Sequence, residues 1–107
     1  MTDQVHQDAS RPFRSTARVA TNRPALYAKR LASHLGRRTP ADEIPGGYRL
    51  HLPLGFAYLS NEDNALVLRA EAADEDALAR VEDVVGQNLL RFADDDDLVV
   101  DWRRDHL

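Results

Sequence analysis

Apolar residues alternate with polar ones in several short stretches of this chain and recur at helical spacing in two longer ones. Phe13, Ser15, Ala17 and Val19 fall on one side of an extended segment, and Arg14, Thr16 and Arg18 on the other, the period of two of a half-buried strand. Thr21 or Asn22 is placed to cap a helix whose first turn holds Pro24, where a missing N–H costs nothing. Tyr27, Ala28, Leu31, Ala32 and Leu35 then mark one helical stripe, ending at Gly36. The stretch from Arg37 to Gly47 carries two prolines and two glycines and reads as a loop. Alternation resumes in Tyr48, Leu50 and Leu52, with Arg49 and His51 between them. A tight connection at Pro53-Leu54-Gly55 leads into Phe56–Leu59, and Ser60–Asn64 forms the next turn.

The second half repeats the strand-then-helix order. Ala65-Leu66-Val67-Leu68-Arg69-Ala70-Glu71 is strand-like and leads to an acidic helix start at Asp74-Glu75-Asp76. Leu78, Val81, Val85, Leu89 and Phe92 form the stripe of that helix, and Leu98-Val99-Val100-Asp101-Trp102 is expected to be the closing strand. The predicted order is β-α-β-β-β-α-β. It defines an α+β protein, a two-layer sandwich with a mostly antiparallel sheet and two helices packed on one face. One domain is expected over residues 13–103, after a disordered segment at 1–12 and before a short tail at 104–107. Val19, Leu31, Leu35, Leu68, Leu78, Val81, Val85, Leu89 and Val100 are the expected core.

Composition narrows the chemistry. With 107 residues the chain can bury one modest core. It has no cysteine, which excludes disulfides, thiolate nucleophiles and cysteine-ligated metals and fits a cytoplasmic protein. The polar start shows no secretory signal, and no apolar run approaches the length of a membrane span, so no membrane partner is expected. The net charge of −4 equals that of Asp94-Asp95-Asp96-Asp97 alone, so the rest of the chain is balanced. That run lacks the alternating ligands and turn glycine of a hard-cation loop and reads as a solvated connection.

If the apolar strand sides face the helices, the other face of the sheet collects Arg14, Arg18, Arg49, His51, Arg69 and Arg103, opposed by Glu71 and Asp101. Guanidinium groups match carboxylate and phosphate oxygens, so this face, or the Arg37–Arg38 corner, suits a small anionic ligand or an acidic protein partner. Nucleic acid is not expected, because the face lacks stacking aromatics and the overall charge is unfavourable. The open face also invites a second copy of the chain. Arginines paired across strands on a solvated face are the plainer alternative. His34 borders its helical stripe near the helix end and is the single catalytic candidate. No metal-ligand spacing, catalytic triad or phosphate loop accompanies it, and no metal or cofactor is expected.

Ala17-Arg18-Val19-Ala20-Thr21, Ser33-His34-Leu35-Gly36, Ala65 through Ala72 and Leu78 through Gly86 resemble a bacterial family, domain-of-unknown-function family 2218. Leu90-Arg91-Phe92 and Trp102 fit the same pattern. The resemblance implies no established activity. Similar domains occur alone or joined to siderophore-interacting flavin reductases, which implies a link to iron acquisition. Relatives often read His-Phe-Gly-His-Lys where this chain has His34-Leu35-Gly36-Arg37-Arg38, and a histidine near Asn88. This chain keeps only His34, which argues against a shared metal cluster and leaves His34 and Asn88 as an expected hydrogen-bonded pair across the helix seam. The expected function is a non-catalytic binding or accessory module, which the resemblance links to iron–siderophore utilisation. The alternative is a small enzyme using His34 as general acid or base beside an anion-holding arginine.

Overall fold

The computed structural model describes residues 13–93 and 97–105. Six strands and two helices follow in the order β1 (Phe13–Ala20), α1 (Pro24–Leu35), β2 (Ala41–Ile44), β3 (Gly47–Leu52), β4 (Gly55–Glu62), β5 (Ala65–Ala72), α2 (Glu75–Phe92) and β6 (Arg103–Arg104). The strands form one sheet in the order β2-β3-β4-β5-β1-β6, with every pair antiparallel. Both helices pack on the same face of it, the α+β sandwich that the alternation predicts.

Local chemistry explains the elements. Proline opens α1, as its fixed φ allows, but the N-cap position is Arg23 with no side-chain cap. Thr21, one of the two expected caps, instead accepts a hydrogen bond from the Arg23 N–H through Oγ1, at 3.1 Å. The start of α2 follows expectation: the Asp74 carboxylate accepts the Ala77 N–H at 2.8 Å, with Glu75 and Asp76 in the first turn favoured by the helix dipole. In the turn between β2 and β3, Gly46 adopts φ +78°, a conformation side-chain-bearing residues rarely take.

The core lies between the sheet and the helices. Val19, Leu31, Leu68, Leu78, Val81, Val85 and Leu89 are all buried, whereas Leu35 and Val100 pack against the core while keeping some exposure. Each fully buried Leu or Val contributes about 1.5–3 kcal/mol of hydrophobic stabilisation before chain entropy is charged against it.

Three expectations need correction. Ser60, Asn61 and Glu62, expected in a turn, continue β4 and pair with β5. Ala41–Ile44, inside the expected loop, is an edge strand paired with β3. Leu98 to Trp102 is irregular: Leu98, Val100 and Trp102 rest on the core, and the sheet gains only Arg103–Arg104, paired with Thr16 and Ser15. The sheet therefore includes Arg104, one residue past the expected domain boundary. Residues 1–12, the disordered segment expected from the sequence, and Asp94–Asp96 of the acidic run lie outside the described residues.

Candidate functional site

The register builds the open face strand by strand. Thr16 pairs with Arg103 on one side and Arg69 on the other; Arg69 pairs with Tyr58, Tyr58 with Arg49, and Arg49 with Asp42. This row crosses all six strands. Neighbouring strands lie about 4.8 Å apart, so Arg103 and Arg69, and Arg69 and Arg49, are each about 10 Å apart with a hydroxyl-bearing residue between them. A parallel row holds Arg14, Glu71, Phe56 and His51, and Arg18 lies opposite Val67, diagonal to Arg69. Arg14, Arg18, Arg49, His51, Arg69 and Arg103 thus share one face, as the alternation predicts.

Most of that positive charge is answered within the face. Asp42 Oδ2 lies 2.8 Å from Arg49 Nη2 and 2.8 Å from His51 Nε2. These hydrogen bonds, Arg49 first and His51 second, hold the Asp42 carboxyl below the ordinary aspartate range. Arg14 Nε is 3.8 Å from Glu71, and Arg103 is 3.7 Å from Asp101. Arg18 and Arg69 differ: both are exposed, and neither has a counter-ion among the described residues.

The face also holds aromatics that the sequence analysis did not place there. Phe56 and Tyr58 alternate outward on β4, both half-buried, with the Phe56 ring edge-on to His51 at 5.0 Å between centroids. The expectation of a face without aromatics is therefore corrected. Their signal was present in the sequence, since Phe56 and Tyr58 stand two apart in a strand whose other side is Ala57 and Leu59.

His34 lies elsewhere, in a surface groove of about 400 Å³ on the outer side of α1. Its ring meets Phe92 of α2 edge-on at 5.2 Å, and it is half-buried. The expected pairing with Asn88 is absent: the Asn88 side-chain amide donates to the Val84 carbonyl at 2.6 Å, one turn back on its own helix. Arg37 lines the groove with His34, together with Lys29, Arg30 and Ser33. Among the described residues no aspartate or glutamate lines it, so none of them places a carboxylate to orient the imidazole. Among the described residues no group of three or more histidines and acids stands together as a metal site, and no helix is long and apolar enough to cross a membrane.

A two-layer sandwich with helices on one side and a cation-bearing sheet on the other is the class of protein these features define. The match to a family model over residues 16–103 makes the membership specific: the chain belongs to DUF2218, a family of uncharacterised proteins conserved in bacteria. Among solved structures it is similar to PA4090 from Pseudomonas aeruginosa, determined by NMR, with 28% identity and a TM-score of 0.72 over 85% of this chain and 95% of that one. It is also similar to part of a phosphoglucomutase/phosphomannomutase family protein from Burkholderia thailandensis, with 27% identity and a TM-score of 0.54 over 80% of this chain. There it spans 19% of the longer protein. No protein of curated function matches the chain.

Proposed function

We propose that this protein is a non-catalytic binding module that holds an anionic ligand or partner on the open face of its sheet. The carrying observation is the pair Arg18 and Arg69. They are diagonal neighbours on adjacent strands, exposed, and without a counter-ion among the described residues, while Arg14, Arg49, His51 and Arg103 each have an acid nearby. Two guanidinium groups so placed offer forked donors to one phosphate or to two carboxylates. The likeness to part of a phosphoglucomutase/phosphomannomutase family protein, whose name denotes enzymes of phosphorylated sugars, supports phosphate esters as the first anions to try. Ferric siderophores, the class the family resemblance suggests, are a second set. Phe56 and Tyr58 remove one argument against nucleic acid, but the net charge of −4 still opposes it.

The groove favours a second reading. A half-exposed His34 beside Arg37 is the arrangement an acid–base enzyme would need. Among the described residues no acid lines the groove to orient that imidazole, so a binding role is the better supported of the two.

Thermal unfolding with inorganic phosphate, glucose phosphates and a ferric siderophore, at low and physiological salt, tests the sheet-face reading. Saturable stabilisation that survives physiological salt and is lost in Arg18→Ala/Arg69→Ala supports it. Equal stabilisation of the double variant overturns it.

A further inference from the structure

The groove along α1 joins two kinds of wall. Leu26, Arg30 and Ser33 follow one another at i, i+4 and i+7, so they share one outward stripe of the helix, with Lys29 beside them and Arg37 just beyond the helix end. Phe92, reaching over from α2, closes the far side. Among the described residues three cations and no acid line this concavity, and Lys29, Arg30 and Arg37 have no ion pair there. Its volume is about 400 Å³, and it is a shallow depression open to solvent, so a ligand there would rest on the surface and be held chiefly by the charges.

Basic residues near a helix C-terminus often do no more than offset the carbonyl end of the helix dipole. That effect fades within the last turn, and Lys29 and Arg30 precede the last turn of a helix ending at Leu35. The cations are gathered around a concavity instead.

We propose that this groove binds a small organic phosphate, with the phosphate among Lys29, Arg30 and Arg37 and its apolar group against Leu26 and Phe92. A dianion is the better match to three fixed positive charges than a single carboxylate, and the Ser33 hydroxyl adds a donor beside them. The Phe92 ring and the Leu26 side chain offer the non-polar surface that an inorganic anion would leave unused. This site is separate from the sheet face and stands without it.

Amide NMR titration with phenyl phosphate, inorganic phosphate and phenol tests the site. Phenyl phosphate is expected to move the amides of residues 26–37 and Phe92 saturably, more tightly than inorganic phosphate, with phenol nearly silent. Arg30→Ala/Arg37→Ala, both at exposed positions and checked for folding by the same spectrum, is expected to weaken binding at least about tenfold. Arg18→Ala/Arg69→Ala is expected to leave it unchanged, which separates this site from the sheet face. Unmoved groove amides, or full affinity in Arg30→Ala/Arg37→Ala, would overturn the site. Equal affinity for inorganic phosphate would overturn the organic-phosphate assignment.

Discussion

Arg104 of β6 grips Glu82 of α2 with two hydrogen bonds, Nη2 to Oε1 at 3.1 Å and Nε to Oε2 at 3.3 Å. Glu82 lies among the buried residues of α2, with its side chain 11% exposed, so its carboxylate depends on that guanidinium for what it loses in solvation. The same hydrogen bonds raise the Arg104 pKa and hold it charged. The clamp ties a two-residue edge strand to the middle of a helix, across the segment where Val100 and Trp102 lie against Gly86.

Arg104→Ala is therefore expected to destabilise the protein more in the parent than in a Glu82→Gln background. The coupling energy should be about 1 kcal/mol, below the range for fully buried pairs because the Arg104 side chain is 40% exposed. Urea unfolding of the four proteins measures it. Additive effects would mean that Glu82 is solvated well enough without its partner.

What the sequence disclosed and what it hid follow from how each element is stabilised. β1 and β5 alternate cleanly because one side of each is pressed against the helices, and the α2 stripe is legible for the same reason. β2 was illegible. It is an edge strand of Ala-Asp-Glu-Ile between Pro40 and Pro45, held by one neighbour and burying no residue fully. With β2 hidden, Asp42 was hidden as the counter-ion of Arg49 and His51, so the sheet face seemed more strongly positive than it is. Leu98 to Trp102 misled in the opposite sense. Its alternation reflects side chains covering the core from an irregular segment, not a hydrogen-bonded ladder. The groove was beyond sequence reasoning because Phe92 meets α1 only through helix packing.

Ser15 is fully buried on the helix side of β1, opposite Ala70, and its Oγ has no hydrogen-bond partner among the described residues. A buried hydroxyl without a partner carries its desolvation cost uncompensated. Ser15→Ala removes the polar atom and leaves a space of only one oxygen. We expect stability to be unchanged or to rise by about 1 kcal/mol. A loss of more than that, in chemical denaturation, would show that the hydroxyl makes a bond in solution.

Two glycines should respond to alanine in opposite directions. At Gly55 a methyl group would collide with the Glu71 carbonyl of the adjacent strand, which cannot move without parting β4 from β5. Gly55→Ala is expected to cost about 1–3 kcal/mol. At Gly86, inside α2, the nearest atoms to a new methyl group would be Trp102 Nε1 at 3.4 Å and Val100 Cγ1 at 3.5 Å, close to ordinary contact. Gly86→Ala gains helix propensity and packing, and is expected to stabilise by up to about 1 kcal/mol. Paired thermal melts decide it, and a shared sign would show that the strand crossing or the helix seam is placed differently in solution.

Asp42 supplies a pH signature for the sheet face. Its folded pKa is lowered, chiefly by the hydrogen bond from Arg49 and then by that from His51. A carboxylate with a depressed folded pKa contributes stability that is fully present above its unfolded pKa, about 4, and is lost as the pH falls through the lower folded value. Asp42→Asn keeps the shape and removes the charge. Relative to the parent, its stability deficit should be full above about pH 5 and should close as acid protonates Asp42 in the parent. Urea titrations at a series of acidic pH values give both curves. A deficit that persists unchanged below the folded pKa would assign the loss to packing at the β2 edge. A deficit that closes would assign it to the Asp42 charge and its hydrogen bonds with Arg49 and His51.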